Sequence, residues 1–260
     1  MSLPTLAAWA ALLLVAVMAA AFALAVRVRN FGLVDVAWSW NFALLAGLFG
    51  ALGPGYGPRR ALIAAMVAAW SLRLGGHLFR RVKALHPTED GRYARLRLDW
   101  AHALHRRFFV FFQAQGALNL LLAAPLAVVC ANPARLHLLE WAGAALWLLA
   151  VSGETLADRQ LERFKADPAS RGRVCRDGLW RFSRHPNYFF EWLVWCAYAV
   201  FALPSPGGTL TWYCPLLMLF FLFRVTGIPA TEEQALRSKG DAYREYQRTT
   251  SAFVPWFPRA

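Results

Sequence analysis

Cysteine patterning is missing from this chain. Its four cysteines, Cys130, Cys175, Cys196 and Cys214, show neither C-x-x-C nor Cys/His ligand spacing, which excludes a disulfide framework and a zinc site. No internal repeat or low-complexity linker interrupts it beyond the Ala/Leu richness of its apolar runs, which argues against a string of domains. Charge is scarce at 17% of residues, and acidic charge is scarcer still, with 15 Asp and Glu against 28 Lys and Arg. What is abundant is apolar: 58% hydrophobic residues, 12 Trp, 19 Phe and a mean hydropathy of +0.36. That is the composition of a membrane protein, and it leaves little for a soluble domain.

About 20 apolar residues cross about 30 Å of hydrocarbon, and seven stretches qualify, near 4–26, 33–52, 60–79, 108–130, 136–157, 187–204 and 209–228. The first carries no basic residue before Arg27 and outruns a signal-peptide core, so it reads as a span rather than a leader. The net charge of +13 raises the question of nucleic acid, but its placement answers it. Of the 28 Lys and Arg, 23 fall in the segments after the first, third, fifth and seventh stretches. The positive-inside rule then puts the N-terminus outside and the C-terminus in the cytoplasm, with anionic lipid as the partner of most of this charge. The expectation is an all-α polytopic bundle of about seven transmembrane helices, a single membrane domain over 1–260, placed in the bacterial inner membrane. Neither a nucleic acid nor an obligatory protein partner is called for.

Several polar groups sit where an apolar chain should not need them. "GLWRFSRHPNYFFEW" (178–192) sets Arg181, Arg184, His185, Asn187 and Glu191 against an apolar run. Pro186 suits the first turn of a helix, which places Asn187, Tyr188 and Glu191 at its N-terminus, where free N–H groups favour anions. A glutamate in the first turns of a membrane helix is costly unless paired, and so marks a functional candidate. Ahead of it, "GETLADRQLERFKAD" puts Glu154, Asp158, Glu162 and Lys165 on one helical face. That face is either a solvated helix end or the wall of a ligand pocket. Arg224 lies within the last apolar run. Asp35 opens the second stretch, Arg73 and His77 lie in the third, and Gln113, Gln115 and Asn119 in the fourth serve as helix–helix glue or as pocket lining.

Four segments carry a resemblance: "EDGRY" (89–93), "GETLADRQLERFK" (153–165), "DGLWRFSRHPNYFFEWLVW" (177–195) and "RVTGIPATEEQALRSKGDAYREYQRTTSAFVPWFP" (224–258). Together they resemble the DUF1295 family, within the steroid 5-alpha-reductase C-terminal superfamily. The resemblance implies a membrane reductase in which residues 131–260 hold NADPH and residues 1–130 form a pocket for a hydrophobic substrate with an activated double bond. It assigns cofactor contacts to Asp158, Lys165, Arg173, Asn187, Glu191 and Arg224. Arg184, His185, Tyr188 and Gln115 join the cofactor candidates, the first two toward phosphate or ribose.

The steroid enzymes polarise the substrate ketone with an early glutamate and a tyrosine in "H-Y-x-x-R". Here the corresponding stretch is "H-L-F-R-R", with Leu78 in the tyrosine position, and Asp35 is the nearest early carboxylate. The candidates for proton donor are therefore Asp35, His77 and Tyr93. A rival resemblance is to membrane methyltransferases of the isoprenylcysteine carboxyl methyltransferase type, which use S-adenosylmethionine. They share "R-H-P-x-Y", a following arginine, an "E-E" pair and "Y-x-x-Y", matched here by "RHPNY", Arg224, Glu232–Glu233 and Tyr243/Tyr246. The flanking segments, "N-Y-F-F-E", "ADRQLERFK" and "TSAFVPWFP", favour the reductase.

Overall fold

A computed structural model describes residues 1–225 and 227–259, and among these all regular structure is helical. The chain divides into two compact units, Met1–Leu136 and His137–Ala260. Five helical stretches are long and apolar enough to cross a membrane: Leu3–Arg27, Leu33–Leu52, Gly57–Leu85, Ala101–Ala131 and Gly208–Lys239. The last corresponds to the seventh predicted stretch and passes over Thr226, which lies outside the described residues. The fifth and sixth predicted stretches differ for physical reasons. The fifth is a helix of 29 residues, but Glu140, Glu154 and Asp158 dilute its hydropathy, and the sixth is only 17 residues long.

The first unit begins with α1 (Leu3–Arg27), α2 (Leu33–Leu52) and α3 (Gly57–Leu85). Then come the short polar α4 (Gly91–Asp99), α5 (Leu104–Leu122) and α6 (Ala124–Ala131). Small residues let α2 and α3 approach closely. Ser71 Oγ donates to Ser39 O at 2.6 Å and accepts from Ala43 N at 2.9 Å, and a Cβ on Gly75 would lie 2.2 Å from the Trp40 indole. Asn41 Nδ2 donates to Asn119 Oδ1 at 2.8 Å, and Asn119 Nδ2 to Trp38 O at 3.0 Å, so Asn119 is glue between α2 and α5. The fourth predicted stretch breaks at Ala123 because Pro125, in the first turn of α6, has no N–H to continue the ladder. Arg59 is fully buried, and its guanidinium donates to the carbonyls of Asn132, Ala134 and Arg135, which fastens the end of α6.

The second unit holds α7 (Leu138–Ala166), α8 (Pro186–Ala202) and α9 (Tyr213–Phe220), a π-helical turn at Phe221–Val225, then α10 (Ile228–Lys239) and α11 (Asp241–Thr249). The helix predicted through "GETLADRQLERFKAD" is the continuation of α7, and Pro186 starts α8 as expected. Gly240, at φ +53°, splits the predicted polar C-terminal helix in two. At Gly143 the α7 backbone lies against the α8 backbone, and an added Cβ would lie 2.8 Å from Phe201 N and 2.9 Å from its Cβ. Trp147 Nε1 donates to Tyr198 Oη at 3.1 Å deeper along the same seam. Because the obstruction at Gly143 includes backbone, it cannot swing aside. Gly143→Leu is expected to force α7 off α8, and its detergent-solubilised protein should unfold well below wild type in a thermal scan; an unchanged midpoint would contradict this packing.

Candidate functional site

In the first unit, "EDGRY" is the connection that organises the polar groups. Glu89 accepts from Phe31 N and takes both Arg97 Nε at 2.9 Å and Arg97 Nη2 at 3.0 Å, a two-pronged pair. Asp90 caps α4 by accepting from Arg92 N at 3.1 Å, and also pairs with Arg81. With α4 fixed in this way, its next two side chains turn toward α2. Tyr93 Oη donates to Asp35 Oδ1 at 2.7 Å, while Arg92 Nη2 donates to Asp35 Oδ2 at 2.6 Å and to Tyr93 Oη at 2.7 Å. Tyr93 is buried at 1% exposure, whereas the side chains of Asp35 and Arg92 are about one-third exposed. The cluster therefore lies at a boundary between interior and surface.

A cavity of about 20 Å³ opens on this cluster, lined in part by Asn30, Gly32, Asp35, Leu78, Val82 and Tyr93. That volume suits one water-sized group rather than the body of a ligand. Leu78 lines the same cavity as the Tyr93 phenol. His77, about 100° further round α3, does not line it. Of the three proton-donor candidates the structure thus joins Asp35 and Tyr93 and leaves His77 apart.

Burial above all, and then the Asp35 carboxylate, push the Tyr93 phenol well above its usual range, against a smaller opposing effect of Arg92. The unfolded chain releases this proton near pH 10, while the folded chain keeps it. Tyr93 accordingly contributes stability in full below about pH 10 and loses it as pH rises further. Tyr93→Phe is expected to flatten the alkaline fall in unfolding midpoint relative to wild type; parallel alkaline limbs in the two proteins would contradict this environment.

In the second unit, α7 and α8 share a polar seam. Glu154, Asp158 and Glu191 are all buried, at 3%, 7% and 9% exposure. Asn187 Nδ2 donates to Asp158 Oδ1 at 3.3 Å, and Trp195 Nε1 to Glu191 Oε1 at 3.1 Å. The face predicted on α7 therefore enters the interior at Glu154 and Asp158 and leaves it again at Glu162 and Lys165, which are exposed. Arg173 and Arg224 are exposed as well, the latter in the π-helical turn. Gln115 belongs to the first unit, half-buried on α5.

Arg184 and His185 do something the sequence did not lead us to expect. Arg184 Nε donates to Glu232 Oε1 at 2.6 Å and its Nη1 to the carbonyls of Gln247 and Thr250 at 3.0 and 2.6 Å. His185 Nε2 lies 3.2 Å from the same Glu232 oxygen, and Gln247 Nε2 donates to Glu232 Oε2 at 2.8 Å. The His185 ring stacks on Tyr188, whose hydroxyl meets Thr231 Oγ1 at 3.2 Å. Tyr246, pushed up by burial, donates to Trp180 O. Loop, α10 and α11 are thereby clamped together. The partners Glu232 and Tyr246 were visible in the sequence as the "E-E" and "Y-x-x-Y" of the rival resemblance, but nothing in one sequence says that they meet Arg184 and its loop.

Comparison with known proteins settles the family. The family described as "Protein of unknown function (DUF1295)" matches residues 21–250. The chain belongs to the DUF1295 family. This DUF1295 protein is also 30% identical over 254 residues to "Uncharacterized protein C594.04c" of Schizosaccharomyces pombe, an alignment that covers 87% of this chain and 71% of the yeast protein. No solved structure matches it. Among the described residues of this family member, no group of His, Cys, Asp and Glu is placed to hold a metal ion.

Proposed function

We propose that this DUF1295 protein is an integral-membrane, NADPH-dependent reductase of an activated carbon–carbon double bond in a lipid, steroid-like or fatty-acyl substrate. The reading includes seven spans, with the N-terminus outside and the C-terminus in the cytoplasm of a bacterial inner membrane. One observation carries it: Asp35, Tyr93 and Leu78 line one cavity, with the Tyr93 hydroxyl on the Asp35 carboxylate. The tyrosine missing from position 78 is supplied from α4 to the same place. A carboxylate–tyrosine pair with room for one oxygen atom is what polarising a conjugated carbonyl requires.

The chemistry of the second unit's side chains fits the cofactor. Buried carboxylates and an amide, at Asp158, Glu191 and Asn187, suit ribose hydroxyls and a carboxamide, and the exposed cations Lys165, Arg173 and Arg224 suit phosphates. Arg184 and His185 are committed to Glu232, so in this reading they shape the loop rather than ligate phosphate. When bound, NADPH supplies a hydride to the β-carbon of the conjugated system. The Tyr93 proton, held on the phenol, turns from Asp35 to the substrate oxygen as negative charge grows there. Arg92 holds the Asp35 carboxylate in place, and the α-carbon then takes a proton from solvent to complete a CH–CH bond.

Purified protein in detergent is expected to unfold at higher temperature with NADPH, because a ligand that binds only the folded state stabilises it by mass action. Asn187→Ala should remove that increase while leaving the ligand-free midpoint close to wild type. S-adenosylmethionine should give no shift. A shift with S-adenosylmethionine and none with NADPH overturns the reductase in favour of the methyltransferase.

A further inference from the structure

A second concavity, of about 400 Å³, lies at the C-terminal end of the second unit, far larger than the oxygen-sized cavity at Asp35. It is lined by the end of α11, by Arg184 and by the tail that follows. The tail is not a loose strand. Arg184 N donates to Ser251 O at 2.8 Å, Ser183 Oγ to Phe253 O at 2.8 Å, Trp256 N to Phe182 O at 2.9 Å and Arg259 N to Thr249 O at 2.8 Å. Phe253 is buried beneath Phe189 and Trp192, and the Phe257 ring meets Phe182 edge-on at 5.9 Å. The tail that lines the concavity is therefore tethered along its length to residues 182–184 and to the end of α11.

The lining has two chemistries. Arg248 and Arg259 bring guanidinium groups, and both are exposed. Val254, Trp256 and Phe257 form an apolar rim and stand 54%, 69% and 74% exposed. A soluble protein gains nothing by presenting adjacent aromatics to water. In a chain with membrane-crossing helices, aromatic rings beside arginines are the composition of the lipid headgroup level. The chain path agrees: α11 and the tail follow directly on the helical stretch Gly208–Lys239, the last one apolar enough to cross a membrane.

We infer that this concavity is a binding site for an anionic phospholipid. Arg248 and Arg259 hold the headgroup phosphate, and Val254, Trp256 and Phe257 lie along the glycerol and upper acyl chains. Arg248 already has a partner, Glu245, at 3.0 Å, but the two side chains are 73% and 46% exposed. Such a pair is weak, and a phosphodiester, which offers two oxygens to a planar fork, takes its place. The site is separate from the reductase reading and stands whether or not NADPH binds.

Native mass spectrometry of the full-length protein, taken from mixed phosphatidylglycerol and phosphatidylcholine nanodiscs, tests this. Wild type is expected to retain phosphatidylglycerol in preference to phosphatidylcholine. The Arg248→Gln/Arg259→Gln double variant should lose roughly thirtyfold in phosphatidylglycerol affinity, from two arginines each acting on an anionic headgroup, with phosphatidylcholine unchanged. Trp256→Ala keeps the backbone bond to Phe182, and it should weaken both lipids alike. Equal phosphatidylglycerol retention by wild type and the double variant overturns the inference. So does displacement of phosphatidylglycerol by inorganic phosphate alone, which would mark a soluble phosphate site.

Discussion

Tyr93→Phe is expected to lower the turnover of a conjugated lipid substrate by about 10²–10³-fold, the usual cost of removing one donor aimed at a developing oxyanion. The reason lies in what Tyr93 can do in its cavity. Asp35 accepts and cannot donate when ionised, Leu78 has no polar atom, and the Arg92 guanidinium is already committed to Asp35. The phenol, kept protonated by its burial and held on Asp35, has a proton to present to a substrate oxygen, with the N–H groups of Asn30 and Arg81 on the same lining. Asp35→Asn should fall at least as far, since it removes the charge that both Arg92 and Tyr93 face. Both residues belong to the first unit and the proposed cofactor ligands to the second, so NADPH-dependent stabilisation should survive in both. His77→Ala, by contrast, should retain most activity. Loss of activity in His77→Ala with full activity in Tyr93→Phe would reverse the assignment of the proton donor.

Arg184→Met carries the other large effect, on folding. The Arg184 and Glu232 side chains are only 11% and 15% exposed, and the guanidinium serves Glu232 and two backbone carbonyls together. Removing Arg184 leaves Glu232 to His185 and Gln247 and takes the donor from two backbone carbonyls, at about 1–3 kcal/mol. Because this clamp ties α10 and α11 to the loop before α8, beside the Tyr246 hydroxyl's bonds to Trp180 O and Ser183 O, the loss should show as selective protease sensitivity after Gly227. Arg184→Met/Glu232→Leu should recover part of the loss, since no lone charge is left buried. A double variant as unstable as the sum of the singles would show that the two side chains act independently and that the clamp does not exist. A phosphate-binding Arg184 makes the opposite forecast: normal stability without ligand and a weakened NADPH response.

The sequence was most informative where the signal is local. Composition and apolar runs announce a helical membrane protein, Pro186 marks the start of α8, Gly227 and Pro229 mark a break, and the charged stretch after Glu154 continues α7 as its composition suggests. Where an apolar run hides its own punctuation, reading fails: Pro125 splits the fourth stretch inside a segment whose hydropathy gives no hint of it. The split of the C-terminal helix at Gly240 depends on a single positive φ, which a glycine permits but does not demand. Pairings across the chain are the least legible. Tyr93 and Asp35 were both suspected, yet their meeting depends on α4 being anchored through Glu89 and Asp90, 54 or more residues from Asp35 in sequence. Likewise Arg184 reads as a phosphate ligand because it precedes a helix N-terminus, where N–H groups and the dipole favour anions. Its commitment to Glu232 is a matter of tertiary packing alone.

Deuteride transfer is the most direct test of the central claim. Purified protein would be incubated with a total membrane lipid extract and NADPH carrying deuterium at the transferable C4 position, and the lipids analysed by mass spectrometry. A lipid that gains two hydrogens, one of them deuterium on carbon, is expected with wild type and absent with Tyr93→Phe. No deuterium in any lipid, with label from methyl-deuterated S-adenosylmethionine entering the same extract instead, would contradict the account.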